Sequence, residues 1–344
     1  MAHRASEYMY WAKTQQRARY TLATSGVGAY PIEDLHFDAR RLAINGNNSY
    51  GYAPLLEAIA AHQGVTPDWV VTAQGTSFAN YLAMAAILDP GDEVLIERPA
   101  YGLLIDAALQ IGARVRRFDR PLTADAVTPA TKLIVVTNLH NPTSELTDVA
   151  SCYAIAQANG ARLLVDEVYL DAVWENRPPS AVHLGPGVIV TSSLTKVYGV
   201  SGLRCGWILA EPGLARSMRR LNDIFGATPV HPGEIMSVAA FERLPELKAR
   251  ARQLVETDRQ ALHDFLDTTP QVRAPKQPYG TTSFIELVDR PVEPFLALLR
   301  DKYETSAVPG HFFDRPTYIR IGMGVDNEMF AEGLRRIALA LRNS

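Results

Sequence analysis

The chain has 344 residues, 47% of them hydrophobic, enough for a sizeable core arranged as two domains or as one large elaborated one. A net charge of −3 gives no basic footprint for nucleic acid and no polybasic anchor for a membrane, which leaves small molecules and a second copy of the chain as expected partners. No apolar run approaches a membrane span, the N-terminus lacks a secretion signal's apolar stretch, and Cys152 and Cys205 show neither metal spacing nor a disulfide framework, so we expect a reducing cytoplasm, two core thiols and no metal site.

The N-terminal "YMYWAK" is aromatic and amphipathic and reads as an arm packed on its own domain or on a partner. From about residue 70 to 210, seven strand-like runs ("DWVVTA", "DEVLIE", "ARVRRF", "KLIVVTN", "ARLLVDE", "VIVTSS", "CGWILA") are interleaved with the helical patterns "SFANYLAMAAIL", "GLLIDAALQIG" and "DVASCYAIAQANG". That order predicts an α/β fold whose sheet is mainly parallel with helices on both faces. Past residue 230 the texture changes to a long charged helical stretch, "ELKARARQLVETDRQALHDFL". After it come "TSFIELVD", "EPFLALLRDKY", "YIRIGMG" and the closing helix "FAEGLRRIALALRN", which predict a smaller α+β domain. The expected limits are 1–45 for an N-terminal arm and part of the small domain, 46–230 for the large domain and 231–344 for the C-terminal small domain.

Ligands of open α/β sheets bind at the carboxyl ends of strands, so the polar residues that end these runs are the candidates for chemistry. "VVTAQGTSFAN" runs from strand through Gly75, Thr76 and Ser77 into a helix, and the free N–H groups and positive dipole of a helix start suit an anion. "ERPAYG" sends Tyr101 off the next strand, where an aromatic ring stacks on a planar ligand. "IVVTNLHNPTSE" brings Asn141, and "LLVDEVYLDAVW" ends in Asp166 with Tyr169 three positions on. A buried carboxylate there needs a cation or a donor. "SSLTKVYGVSGLRCGW" then supplies Ser193, Lys196 and Arg204. An anion cup, a stacking aromatic, an amide, a carboxylate backed by a phenol, a lysine amine and an arginine form the set that a phosphorylated pyridine aldehyde requires.

At this point the sequence resembles the fold type I pyridoxal-phosphate (PLP) enzymes of the class I/II aminotransferase family. The resemblance covers most of the chain. It rests on "SLTKVYGVSGLRCGW", a serine, then a lysine three positions on and an arginine eight beyond it, preceded in order by "NP" and by aspartate, two residues, tyrosine. It implies a mainly parallel, mixed seven-stranded sheet flanked by helices and pyridoxal 5′-phosphate as cofactor. Lys196 would be the Schiff-base lysine, with Ser193, Arg204 and the helix start at Gly75, Thr76 and Ser77 on the phosphate. Tyr101 would stack on the ring, Asp166 would hold the ring nitrogen protonated, and Asn141 with Tyr169 would bond the phenolic oxygen. By the same resemblance Arg320, in "PTYIRIGMG", would fork onto the substrate α-carboxylate beside Asn141, with Gly26 and Val27 of "TLATSGVGAYP" lining the substrate. His311 in "AVPGHFF" falls near that side. The family also implies a homodimer with shared active sites, in which a tyrosine crosses to the partner's phosphate. Here Gly46 stands at that position, so Tyr50, Asn47 and Asn48 remain as replacements; Ser144 stands where a glycine is common.

The reaction expected from the resemblance is transfer of an amino group between an L-amino acid and a 2-keto acid. Arg320 holding the carboxylate near the ring plane leaves the Cα–H bond perpendicular, and the Lys196 amine moves that proton. β- or γ-elimination, cyclisation and racemisation start with the same step and stay open, as does a non-catalytic PLP-binding sensor. No second arginine stands out as the partner of a distal carboxylate, so a dicarboxylic substrate is not indicated.

Overall fold

The computed structural model describes residues 3, 5–47 and 49–343. The N-terminal helix α1 (Glu7–Thr14), capped by the Ser6 hydroxyl, leads to the short strand β1 (Tyr20–Thr21). Helix α2 (Ala53–Gln63) carries Pro54 in its first turn and stops at Gly64 in the left-handed region. The alternation expected from residue 70 onward follows: β2 (Val70–Gln74), α3 (Thr76–Ala85), β3 (Glu93–Arg98), α4 (Gly102–Ile111), β4 (Arg114–Asp119), β5 (Thr131–Thr137), α5 (Val149–Ala158), β6 (Arg162–Asp166), β7 (Val188–Ser193) and β8 (Cys205–Leu209). Next come α6 (Pro212–Phe225), α7 (His231–Glu242) and the long α8 (Leu244–Thr268). The chain closes with β9 (Val272–Arg273), β10 (Thr282–Leu287), α9 (Val292–Tyr303), β11 (Thr305–Ser306), β12 (Val308–Pro309), β13 (Tyr318–Gly322) and α10 (Asn327–Arg342).

Seven strands form the main sheet in the order β2-β8-β7-β6-β5-β3-β4. Six run the same way, and β8 is antiparallel to both its neighbours, β2 and β7. Strands β5 to β7 are buried on both faces, which is why they read as unbroken apolar runs. Successive residues feed opposite faces: Ile134, Val136, Leu163 and Val165 enter one core cluster, and Leu133, Val135 and Leu164 the other. The edge strand β4, RVRRFD, is half exposed, and its three arginines blunt an edge that could otherwise pair with another chain. Cys152 and Cys205 are free and buried, and burial pushes both thiols up to about 12.

A second sheet, β12-β13-β10-β9, is antiparallel throughout and shares a core with α8 and α10 through Val255, Leu262, Ile285, Ile321 and Ile337. β1 pairs in parallel with β11, and Leu22 enters this second core, so the N-terminal stretch packs with the C-terminal third. Helix α8 runs from one core to the other: Leu247 belongs to the main-sheet cluster, Ala251 and Val255 to the second. No helix among the described residues is long and apolar enough to cross a membrane.

Candidate active site

The carboxyl ends of the parallel strands converge on a cavity of about 180 Å³. Five of those strands contribute at or just past their ends: Thr76 and Ser77 after β2, Tyr101 after β3, Asn141 after β5, Asp166 as the last residue of β6, and Lys196 in the turn after β7. The parallel direction of these strands is therefore what gathers residues 76 to 196 into one wall.

On one side the wall forms a cup around the start of α3. Gly75 takes φ 79°, and a Cβ there would fall on Arg204 Nη2, so only glycine lets the guanidinium lie against the chain at the start of α3. Arg204 holds that place by donating from Nη2 to the Gln74 carbonyl at 3.2 Å. The Ser193 hydroxyl accepts from Thr76 Oγ1 at 2.7 Å and from the Thr195 amide at 3.2 Å. No side chain caps the first turn of α3; the Gly75 N–H donates to the Ala73 carbonyl at 2.8 Å, so the helix start opens toward Arg204 from Thr76 onward.

Opposite, Asp166 accepts from Asn80 Nδ2 at 2.7 Å and from the Val168 amide at 3.0 Å. Burial nevertheless raises its carboxyl to about 6, with those two donors pulling the other way. The Lys196 amine donates to Ser25 Oγ at 2.8 Å. Burial, followed by repulsion from Arg320 and Arg204, lowers it to about 8, and the Asp166 charge only partly offsets this. Burial likewise pushes the Tyr169 phenol to about 12 and the Tyr101 phenol well above its ordinary value, so both are neutral donors.

Arg320 lies one residue behind the wall, 1% exposed. Its Nη1 donates to Asn141 Oδ1 and its Nη2 to the Tyr8 hydroxyl, both at 3.1 Å, with the Thr24 carbonyl at 3.3 Å from Nη2. The Phe313 ring centroid lies 4.9 Å from its guanidinium carbon, and Nε has no partner among the described residues. No carboxylate of the described chain pairs with it, although an unpaired buried cation costs several kcal/mol. Asn141 is itself held from below. Its amide donates to Thr137 Oγ1 at 3.1 Å, and that hydroxyl donates to the fully buried Glu97, which Arg120 pairs from the far side.

Lys196, Asp166, Tyr169, Tyr101, Asn141, Thr76, Ser77 and Arg204 thus share one cavity, with Ser193 and Gly75 in its cup and Arg320 behind Asn141. Gly26 and Val27 stand differently. The Val27 amide donates to the Lys196 carbonyl at 2.7 Å, and a Cβ on Gly26 would come within 3.0 Å of that same oxygen, so they brace the lysine's backbone while Ser25 forms the wall. His311 pairs with Glu293 at 2.7 Å and faces another hollow. Ser144 adopts φ 60° and ties its loop to β10 through the Thr282 carbonyl at 2.7 Å. Tyr50 is exposed, its hydroxyl 3.1 Å from Asp223 of the same chain; Asn47 is exposed too, and Asn48 lies outside the described residues. A Cβ on Gly46 would meet the His231 ring.

Sequence reasoning missed Tyr8, Met9, Ser25 and Asn80. Asn80 had a readable signal, one helical turn after Thr76 on the same face of α3, and Ser25 directly precedes Gly26. No group of three His, Cys, Asp or Glu able to hold a metal occurs among the described residues.

The family model for aminotransferase class I and II matches residues 29–337. A histidinol-phosphate aminotransferase of Moorella thermoacetica is 26% identical over 298 residues, covering 82% of this chain and 75% of its own. A solved PLP-dependent aminotransferase of Streptococcus suis superposes with a TM-score of 0.90 at 24% identity over 98% of both chains. The solved PLP-dependent cyclase OrfR superposes at 0.88 with 23% identity, over 99% of this chain and 98% of its own. At these identities the two structures share a fold with this chain.

Proposed function

The chain belongs to the aminotransferase class I and II family and is a pyridoxal-phosphate-dependent transferase; from that premise we propose that it moves an amino group between an L-amino acid and a 2-keto acid, with Lys196 as the residue bonded to the cofactor. The observation that carries the reading is the Lys196 amine, lowered to about 8 in a cavity it shares with Asp166, beside the buried Arg320 that has no carboxylate of its own. An amine so close to neutrality takes and returns a proton at working pH, and a guanidinium without an anion suits a substrate that brings one.

The residues present fit the cofactor. The cup of Arg204, Ser193, Thr76 and the α3 start, which a Cβ at Gly75 would fill, would hold the phosphate. Asp166 would hold the ring nitrogen, Tyr101 the ring face, and Asn141 with Tyr169 the phenolic oxygen. When bound, pyridoxal phosphate supplies an electron-accepting ring that weakens the bonds at the substrate Cα. Arg320, steadied by Asn141 and Tyr8, would grip the α-carboxylate and so choose which bond at Cα is presented. Lys196 Nζ would take the Cα proton and pass it to the cofactor's C4′ carbon, and Ser25 Oγ would hold that amine between the two positions.

We read the assembly as a homodimer. Support comes from the exposure of Ile44 (83%), Ile224 (77%) and Val230 (60%); Val230 lines two hollows, one shared with Ile44 and the other with Arg204. The two domains are read as meeting along α8, between Leu247 and Ala251, and the two unpaired thiols suit a cytoplasmic setting.

The test is steady-state kinetics of the purified holoenzyme with paired amino and keto acids. Ping-pong dependence on both substrates is expected, with Lys196→Ala slower by roughly 10³-fold or more. Keto-acid release that continues without an added acceptor would replace transfer with elimination.

A further inference from the structure

Every charge on the wall of the Lys196 cavity already has a task in the reaction proposed above. Asp166, Lys196 and Arg204 are the charged groups there, and Arg320 is the fourth, behind Asn141. The phenols of Tyr101 and Tyr169 stay neutral. What remains of the wall is uncharged, with Ser25, Ser77 and Thr137 as hydroxyls and Met9 and Val168 as apolar groups. Among the described residues of the wall, no ionised side chain is left over to meet a charged group on a substrate.

A second copy does not change this balance. The hollow that shares Arg204 with the cavity is bordered by Leu42, Phe225 and Val230. The exposed residues 42–47, 49, 50 and 224–228 contain no Asp, Glu, Lys or Arg. The charges beside them are held within their own chain, Arg41 by Glu242, Asp223 by the Tyr50 hydroxyl and Glu234 by the Tyr52 amide, so a copy docked through those residues offers amides, hydroxyls and apolar groups. A charge carried into such a site without a partner is costly, and an apolar side chain there gains.

One wall residue is placed to receive that side chain. Met9 stands on α1, its amide bonded to the Ser6 hydroxyl at 3.4 Å and its sulfur 3.8 Å from the Tyr101 hydroxyl. The neighbouring Tyr8 is buried and packs edge-on against Tyr101 at 5.4 Å between ring centroids, which fixes the helix against the cavity wall. A thioether on a flexible stem adapts to apolar groups of different shape.

Resting on the transaminase reading, we propose that the amino-acid substrate carries an uncharged, apolar side chain and that Met9 is the residue it packs against. The experiment is calorimetric titration of the holoenzyme with carboxylates that lack any amine able to condense with the cofactor: 4-methylpentanoate, 3-phenylpropanoate, glutarate and 5-guanidinopentanoate. The first two are expected to bind roughly 10-fold tighter than the charged pair or more, and Met9→Arg to bring glutarate level with 4-methylpentanoate or ahead of it. Glutarate or 5-guanidinopentanoate binding the unaltered holoenzyme as tightly as 4-methylpentanoate overturns the proposal while leaving the transaminase reading intact. An order unmoved in a folded Met9→Arg variant overturns the assignment of Met9, and the series on the unaltered enzyme stands whether or not that variant folds. Binding of none of the four, with the cofactor in place, overturns the carboxylate clamp of the transaminase reading and this inference with it.

Discussion

Two residues at the centre of this site are placed where folding alone would not put them. Arg320 is buried among Tyr8, Phe313 and neutral oxygens, and Lys196 is held by a single serine hydroxyl. Both positions cost stability, and both become favourable when a ligand brings the missing charge or bond. The lysine makes the cost measurable. Its folded-state pKa of about 8 lies below the ordinary 10.5, so the stability its neutral form confers is present above 10.5 and is lost as pH falls through 8. Below 8 the apoprotein buries an ammonium. Lys196→Met should therefore stabilise the apoprotein against urea at pH 7, by about 1–3 kcal/mol after allowing for the part of the side chain open to the cavity, and the advantage should shrink toward zero near pH 10.5. A constant advantage across that range would mean that packing, not charge, sets the difference. Lys196, Asp166, Arg204 and Arg320 were legible because each sits in a motif or at the end of an apolar run. Tyr8 and Met9 were not, because their contacts join residue 8 to residue 320 and residue 9 to residue 101, and no local pattern encodes a meeting over that distance.

The cup between β2, α3 and β8 shows how elements constrain one another. Gly206 in β8 faces Gly75, and a Cβ on Gly206 would come within 2.6 Å of the Gly75 Cα. Two glycines therefore let the antiparallel strand pass under the turn into α3, while φ 79° at Gly75 clears the space that Arg204 occupies. Gly75→Ala has two costs, about 1–2 kcal/mol of backbone strain at positive φ and displacement of the guanidinium. The expected outcome is a pyridoxal-phosphate dissociation constant raised roughly 10- to 100-fold, a range of about 1.4–2.7 kcal/mol, with a smaller fall in thermal stability. An unchanged constant would remove Arg204 from the phosphate cup. The strands themselves were readable because burial on both faces of β5, β6 and β7 leaves nearly continuous apolar runs. The reversed direction of β8 was not readable from its own residues. CGWIL is as apolar as the parallel strands of the sheet, and its direction follows from the short turn after β7, which carries Lys196 and leaves too little chain for a crossover.

At the scale of the molecule, the α/β architecture was legible from alternation along the chain, while the packing of the N-terminal stretch onto the C-terminal third was not, since it depends on two-residue strands too short to carry a pattern. The same scale bears on the surface left open beside the site. Ile44, Phe225 and Val230 are exposed around adjoining hollows, one of which borders Arg204, Ile224 is exposed next to Phe225, and a monomer in water seldom leaves so much apolar surface on one face. Burying that face between two copies would set the uncharged segment 42–50 of one near the phosphate cup of the other. Exposed isoleucines contribute little to the fold of an isolated chain, so replacing two of them by carboxylates should leave each copy folded while introducing repulsion and unpaired charge into the contact. Sedimentation of the unaltered protein at micromolar concentration should give twice the chain mass, and the Ile44→Asp, Ile224→Asp double variant should sediment as a single chain with its thermal transition retained. On the reading that the cup is completed from across the contact, the variant should also bind pyridoxal phosphate more weakly; full affinity and activity in a variant that sediments as one chain would show that each copy carries a whole site.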